Sequence, residues 1–506
     1  MSQPVDIRTA CALGLRVWAA LAALYVGLLL VSARGSLLFA DGYDGVGFVL
    51  AVTDFDLSRF QPHPPGFPLL VLCSRLLHAV FAVSPSLSVA LVSALLLPLG
   101  LGAVSMWLAV LHGRAAALWF ALLAGPNILV WGLGVATLSD GAGLGLTLAA
   151  LSAVAGALST GSRRLAVVAG VLSGCALGVR PQSAALLALG LASLVVYVGW
   201  LRRPWQRPLV IAAATSLFVG LAWLLPLVLT VGPQRFAALC LSHARGHFAD
   251  FGGRVLGTPA DARLASIQLF LRTRAAALGP VLLVGLALCG LWLARHRRTI
   301  EIGTYFSGVF FLVSATAYLA LALLAVRVTG DGRHLGPVPV LVAAAMAPVL
   351  TTAARRRGLR VALLTVAVAA ALLNARAVLA FRRSPAAGAQ LAAALPDCSV
   401  PVYGARAARY VDLRCGAGTA QPAVYLGEVL SDLARRSNPP REVFVTSEVI
   451  ASPASQHRLR SVGRFCLAAD VPSILRIDST PRPPKSTSLY VDTPGCVELF
   501  AYRVLP

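Results

Sequence analysis

Apolar runs long enough to cross a bilayer recur from the start of this chain to residue 381, and no other feature restricts its fold as severely. In order they cover 13–33, 86–111, 115–136, 142–159, 165–179, 183–201, 208–231, 275–294, 303–326, 335–353 and 359–381. A hydrocarbon core roughly 30 Å thick needs ~20 apolar residues per helical crossing. Inside it each backbone polar group must be bonded within the protein, which leaves the helix as the spanning element for such runs. Because 58% of the 506 residues are hydrophobic and only 12% are charged, the chain reads as an α-helical polytopic membrane protein with about eleven transmembrane helices. The first run follows Arg8, exceeds a signal-peptide core and lacks a clear small-residue cleavage site, so it counts as a span.

The formal charge of +23 would suit a nucleic-acid binder, but the arginines are spread through the breaks between apolar runs instead of forming a basic domain. Their distribution sets an orientation. Gly66 to Val83 is apolar, carries Arg75 and His78 and follows a Pro-rich turn; it reads as a juxtamembrane helix. Arg8, Arg114, Arg163 and Arg164, Arg202, Arg203 and Arg207, Arg295, Arg297 and Arg298, and Arg355 to Arg357 then share one side. By the positive-inside rule that side is cytoplasmic, and an odd number of crossings puts the C-terminal region outside. The stretch from Gly232 to Arg274 is then a long, basic external loop, a kind that tolerates departures from the rule.

After residue 382 the composition shifts, which divides the chain into a membrane domain (1–382) and an extracytoplasmic domain (383–506). VPVYGA, AVYLGEVL, EVFVTSEVI, TSLYVD and ELFAYRV read as strands around a helical GEVLSDLARRS, predicting a small α/β soluble domain. It holds Cys398, Cys415, Cys466 and Cys496, an even set that allows three pairings and would form disulfides in an oxidising compartment. Cys11, Cys73, Cys175, Cys240 and Cys289 lie in or beside apolar segments and read as small buried hydrophobes.

In this orientation the unusual polar residues gather on the external face. Asp44, Asp140, Arg180, His243, His247, Arg333 and His334 all fall at or near ends of predicted helices. Ionisable groups at membrane depth are costly and usually face an internal cavity, so their gathering marks a candidate site. The pattern from Asp44 through Phe48 and Asp56 to His63-Pro64-Pro65-Gly66-Phe67-Pro68 resembles the first luminal loop of the GT-C glycosyltransferases. It is most similar to bacterial proteins related to the protein O-mannosyltransferases and the lipid A aminoarabinose transferases. SDG around Asp140, GVRPQ around Arg180 and the Arg333-His334 pair follow in the expected order. The resemblance covers most of residues 13–381. It implies an enzyme that uses polyprenyl-phosphate-linked sugars on the extracytoplasmic side of a bacterial inner membrane, with Asp44 as the catalytic base. Asp41 shares the loop and competes for that role, and Gly45 departs from the family's hydroxyl-bearing pattern after the acidic residue.

Transfer of a sugar from a lipid phosphate to an acceptor hydroxyl sets the other roles. Guanidinium groups stabilise the charge developing on the leaving phosphate, for which Arg180 and Arg333 are candidates with His334 as a third donor. Asp140 and His63 are candidates to hold sugar and acceptor in line. The sequence has no GxxxxGK[ST] nucleotide loop. No cofactor is firmly implied; the carboxylates form no recognisable ligand set, His243 and His247 lack a third ligand, and a divalent cation is left open. Tyr43 and Phe48 read as packing residues. The rival readings are a polytopic transporter or lipid flippase, and a non-catalytic membrane scaffold. Against a transporter stand the gathering of charge on one side and the lack of an internal repeat.

Overall fold

The computed structural model describes residues 6–33, 42–200, 206–249, 332–354, 357–383, 387–395 and shorter stretches between 311 and 319 and between 398 and 503. The longest apolar runs form the longest helices: α1 (Ile7–Ala33), α4 (Pro85–His112), α7 (Ser139–Thr160) and α10 (Gln206–Val231). Later in the chain, the 3₁₀ turn Gly332–Leu335 runs into α12 (Pro337–Ala353), followed by α13 (Arg357–Arg383). Among the described residues these six helical segments are long and apolar enough to cross a membrane. α8 (Arg163–Val179) and α9 (Ser183–Trp200) are of nearly that length. Local chemistry sets several starts. Ser84 and Ser162 accept from the backbone N–H of Leu87 and Leu165, and Pro85 opens α4 where its missing N–H costs nothing. The chain is a multi-pass membrane protein; the expected spans 275–294 and most of 303–326 lie outside the described residues.

Three expectations are corrected. The run 115–136 is two helices, α5 (Arg114–Ala124) and α6 (Ile128–Gly134), bent by 77°. Gly125-Pro126-Asn127 breaks it, since Pro126 has no N–H and Asn127 caps α6 by accepting from the N–H of Leu129 and Val130. The carbonyls freed by the break are taken up by other helices: the Tyr25 hydroxyl donates to Gly125 O at 2.7 Å and the Asn374 amide to Pro126 O at 2.8 Å. Second, the first external loop opens as a helix, α2 (Gly42–Thr53), ahead of a 3₁₀ turn at Leu57–Arg59. Third, the stretch after Gly232 begins as α11 (Pro233–Ala249), so His243 and His247 are on a helix. The segment expected to be juxtamembrane is α3 (Pro68–Phe81), whose 14 residues are fewer than a spanning helix needs.

α7 is the central helix, buried on nearly every face between α4, α8 and α9. Its first two turns are rich in glycine, and at Gly145 a Cβ would lie 2.0 Å from the carbonyl oxygen of Leu96 in α4. Backbones this close leave no room for a side chain. One core joins α1, α4, α5, α6 and α12 through Tyr25, Leu97, Phe120, Trp131 and Leu341. A second joins α2, α3, α4, α7 and α8 to the C-terminal region. Leu217, Phe218, Leu372 and Leu373 face outward on α10 and α13, as expected of surfaces met by lipid.

In the C-terminal region α14 (Ala387–Ala394) precedes β1 (Val402–Gly404), α15 (Arg409–Cys415), β2 (Ala420–Pro422), β3 (Glu442–Thr446), β4 (Leu459–Cys466) and β5 (Cys496–Arg503). The sheet order is β2-β1-β3-β5-β4; β1 is parallel to β2 and β3, and the other pairs are antiparallel. VPVYGA, EVFVTSEVI and ELFAYRV thus supply β1, β3 and β5, β2 and β4 were not anticipated, and AVYLGEVL for the most part and TSLYVD entirely lie outside the described residues. Of the three possible cysteine pairings, the structure has Cys398 bonded to Cys415.

Gly145→Ala is expected to destabilise the protein by about 1–3 kcal/mol, because the added methyl drives α7 off α4. Gly220→Ala in α10, where a Cβ meets nothing within 4 Å, is the control. Thermal midpoints of both variants in detergent check this.

Candidate active site

The predicted residues converge from four elements. Asp44 lies in the first turn of α2, where the helix dipole favours a carboxylate. At the other end of α2, the Arg75 guanidinium of α3 donates to the carbonyls of Ala51 and Val52 at 2.9 Å each. A short helix rich in loop-forming glycines is thus held at its C-terminal end by a support invisible in its own sequence. Asp140 sits in the first turn of α7, after the extended residue Leu138, whose carbonyl accepts from Ser93 Oγ at 2.8 Å. Arg180 is the extended residue that ends α8, and Arg333 and His334 form the 3₁₀ turn before α12.

These side chains form a continuous chain of alternating charge. Arg333 donates to Asp44 Oδ2 at 2.7 Å and its other terminal nitrogen lies 3.9 Å from Asp140 Oδ2. Arg180 reaches Asp140 Oδ1 at 2.8 Å and donates to Ser139 Oγ at 2.9 Å. Gly143 makes room for this: a Cβ there would lie 2.6 Å from Arg180 Cβ. His334 is close enough to Asp140 to act on it electrostatically. Of the predicted residues, Asp41 and the side chains of Tyr43 and His247 lie outside what the structure describes.

His63 closes the cluster on the side of α3 and α11. It is buried, with Nδ1 3.7 Å from Asp44 Oδ1 and its ring against Phe67 (4.7 Å between centroids), His243 (5.1 Å) and Phe48 (5.6 Å). Burial pushes its pKa down to about 4; the Asp44 carboxylate opposes the shift, while His243, Arg333 and Arg180 add to it. The imidazole is therefore neutral near pH 7, so its approach to Asp44 is not an ion pair. Phe48 is 1% exposed and packs edge-on against Phe67, a packing role as expected. Asp56 stands apart from the site. It accepts from the N–H and Oγ of Ser58 and from Arg59, which also pairs with Asp54, so these residues clasp the loop.

Three participants were given no role in the sequence reading: Ser139 anchors Arg180, Phe67 walls His63, and Tyr318 lies near enough to Arg180 and Asp140 to interact electrostatically. His243, singled out in the sequence, arrives beside His63 on a helix taken for a loop. Ser139 and Phe67 had a signal, their places in the SDG and HPPGFP motifs. Among the described residues no group of three or more His, Cys, Asp or Glu side chains could hold a metal ion.

No protein-family model matches the chain, and no curated protein matches it in sequence. Solved structures do match. The chain is similar to ArnT from Cupriavidus metallidurans bound to undecaprenyl phosphate, over 96% of this chain and 97% of that one, with a TM-score of 0.59 at 14% identity. It is also similar to the oligosaccharyltransferase of Archaeoglobus fulgidus in complex with zinc and sulfate, over 85% of this chain and 68% of that one, with a TM-score of 0.52 at 14% identity. The chain shares its fold with these two structures.

The histidine gives a pH signature. Unfolded, His63 would titrate near 6.5; folded, it titrates near 4. Between these values the unfolded chain binds more protons, so His63 weakens the fold as pH falls from about 6.5 towards 4, by as much as ~3 kcal/mol. Thermal midpoints of wild type should drop more steeply across that window than those of His63→Gln.

Proposed function

We propose that the chain is a glycosyltransferase that moves a sugar from a polyprenyl-phosphate donor to an acceptor hydroxyl at the extracytoplasmic face, with Asp44 as base. The observation that carries this reading is the convergence of Asp44, Asp140, Arg180 and Arg333 from four separate elements into one ion chain. The fold shared with ArnT, whose structure holds undecaprenyl phosphate, supports the donor class.

In the proposed reaction the acceptor oxygen bonds to the anomeric carbon as the bond from that carbon to the phosphate oxygen breaks. The acceptor proton passes to a carboxylate oxygen of Asp44, and polyprenyl phosphate leaves with the electron pair. A guanidinium has five N–H donors, so Arg180 and Arg333 retain donors for the phosphate beyond those given to Asp44, Asp140 and Ser139. His334 is the third candidate donor. Neutral His63 and the carboxylate of Asp140 are candidates to orient the sugar and acceptor hydroxyls. The arginine distribution supports an orientation with the N-terminus in the cytoplasm and residues 383–506 outside, in a bacterial inner membrane.

Purified protein incubated with a panel of polyprenyl-phosphate sugars should release polyprenyl phosphate, detected by mass. Asp44→Asn, at normal expression, should lower that rate by about 10²–10⁴-fold, the usual worth of a general base. Turnover of no donor by the folded wild type, or an undiminished rate in Asp44→Asn, would overturn the reading in favour of a transporter, flippase or scaffold.

A further inference from the structure

α2 has no open face. Gly45 to Val52 are all buried, and eight consecutive residues pass more than twice around a helix. α3 and α4 cover part of that circumference, and α15 of the C-terminal region lies against another part. Tyr410 and Val411 of α15 share a core with Val46, Phe48 and Val49 of α2. α15 has only seven residues, too few to persist as a helix unaided. Two links hold its end to α14 and the residues just after it. Cys415 is bonded to Cys398, and Arg414 donates from one terminal nitrogen to the carbonyls of Ala392 and of Leu395, the latter at 2.7 Å. Leu391, Ala392 and Leu395 are themselves buried in the core that encloses α2.

We propose that α15 is the outer wall of the helix that carries Asp44, and that Arg414 is a positioning residue for that carboxylate. Its guanidinium gathers two carbonyls at the end of α14, of which Ala392 O also accepts from the backbone N–H of Leu395 at 3.4 Å. This keeps Val411 seated on α2 and so keeps the first turn of α2 within reach of Arg333. The inference rests on the reading of Asp44 as base, because a base displaced by about 1 Å can cost 10²-fold in rate.

Hydrogen exchange on purified protein in detergent tests the wall without any assay of transfer. In Arg414→Met, amides of residues 42–53 should exchange about tenfold faster, while those of 337–353 keep their protection. Release of polyprenyl phosphate should fall about tenfold in kcat with KM for the donor within about twofold, and Arg414→Lys should recover most of it. Unchanged exchange in α2, or a loss confined to KM, overturns the proposal. Should Arg414→Met not fold, the wild type with its Cys398–Cys415 bond reduced carries the same two readouts. A wild type that turns over no donor defeats the assignment of Asp44 as base, while exchange still decides whether α15 supports α2.

Discussion

Everything in this structure is arranged around four charges that must neutralise one another at the end of a membrane bundle. The side chains of Asp140, Arg180 and Arg333 are 5%, 14% and 15% exposed, and charges so enclosed are tolerated only when paired and further hydrogen-bonded. Asp140 meets two guanidiniums and Arg333 meets two carboxylates, so no single pair bears the cost alone. Asp44 and Arg333 are 289 residues apart in the chain. The positions of α2, α7, the end of α8 and the turn before α12 are therefore fixed relative to one another by electrostatics as much as by packing.

The packing that meets this demand is made of small residues and satisfied breaks. α7 presses its backbone against α4 and makes room for Arg180 at Gly143. The α5–α6 bend brings α6 against the 3₁₀ turn that carries Arg333, and Leu133 lies where a Cβ on Gly336 would fall. A broken helix exposes carbonyls that lipid cannot satisfy. Tyr25 and Asn374 meet two of them from helices far away in sequence. Neither side chain belongs to the ion chain, yet both support the bend that brings α6 to it.

How far the sequence could be read follows from which forces are local. Span existence is local, and the helices α1, α4, α7, α10, α12 and α13 lie where the apolar runs do. The break at Gly125-Pro126-Asn127 was also written in the sequence, but the apolarity around it outweighed the turn residues. α2 was not legible, because its C-terminal end is held by Arg75 from another helix and its glycines signal a loop. For the site, the residue types and their gathering at helix ends pointed to Asp44, Asp140, Arg180 and Arg333, whereas who pairs with whom depends on contacts the chain makes only when folded. The same holds for His243 beside His63 and for the choice of Cys415 as partner of Cys398 among three pairings.

The pairing carries a consequence for the proposed chemistry. Among these four described side chains the two aspartates balance the two arginines, so the four together carry no net positive charge to meet a phosphate. Arg180 is fixed by Asp140 and Ser139 together, whereas Arg333 is shared between Asp44 at 2.7 Å and Asp140 at 3.9 Å. A phosphate entering beside them competes for guanidinium N–H groups, and Arg333 has the shorter reach to the carboxylate proposed as base. Even through its other N–H groups, Arg333 would then share its positive charge between the phosphate and Asp44. A carboxylate relieved of its cation is a stronger proton acceptor. Donor binding and activation of the base would then be a single electrostatic event, and a site built this way keeps its base weak until there is a leaving group to stabilise.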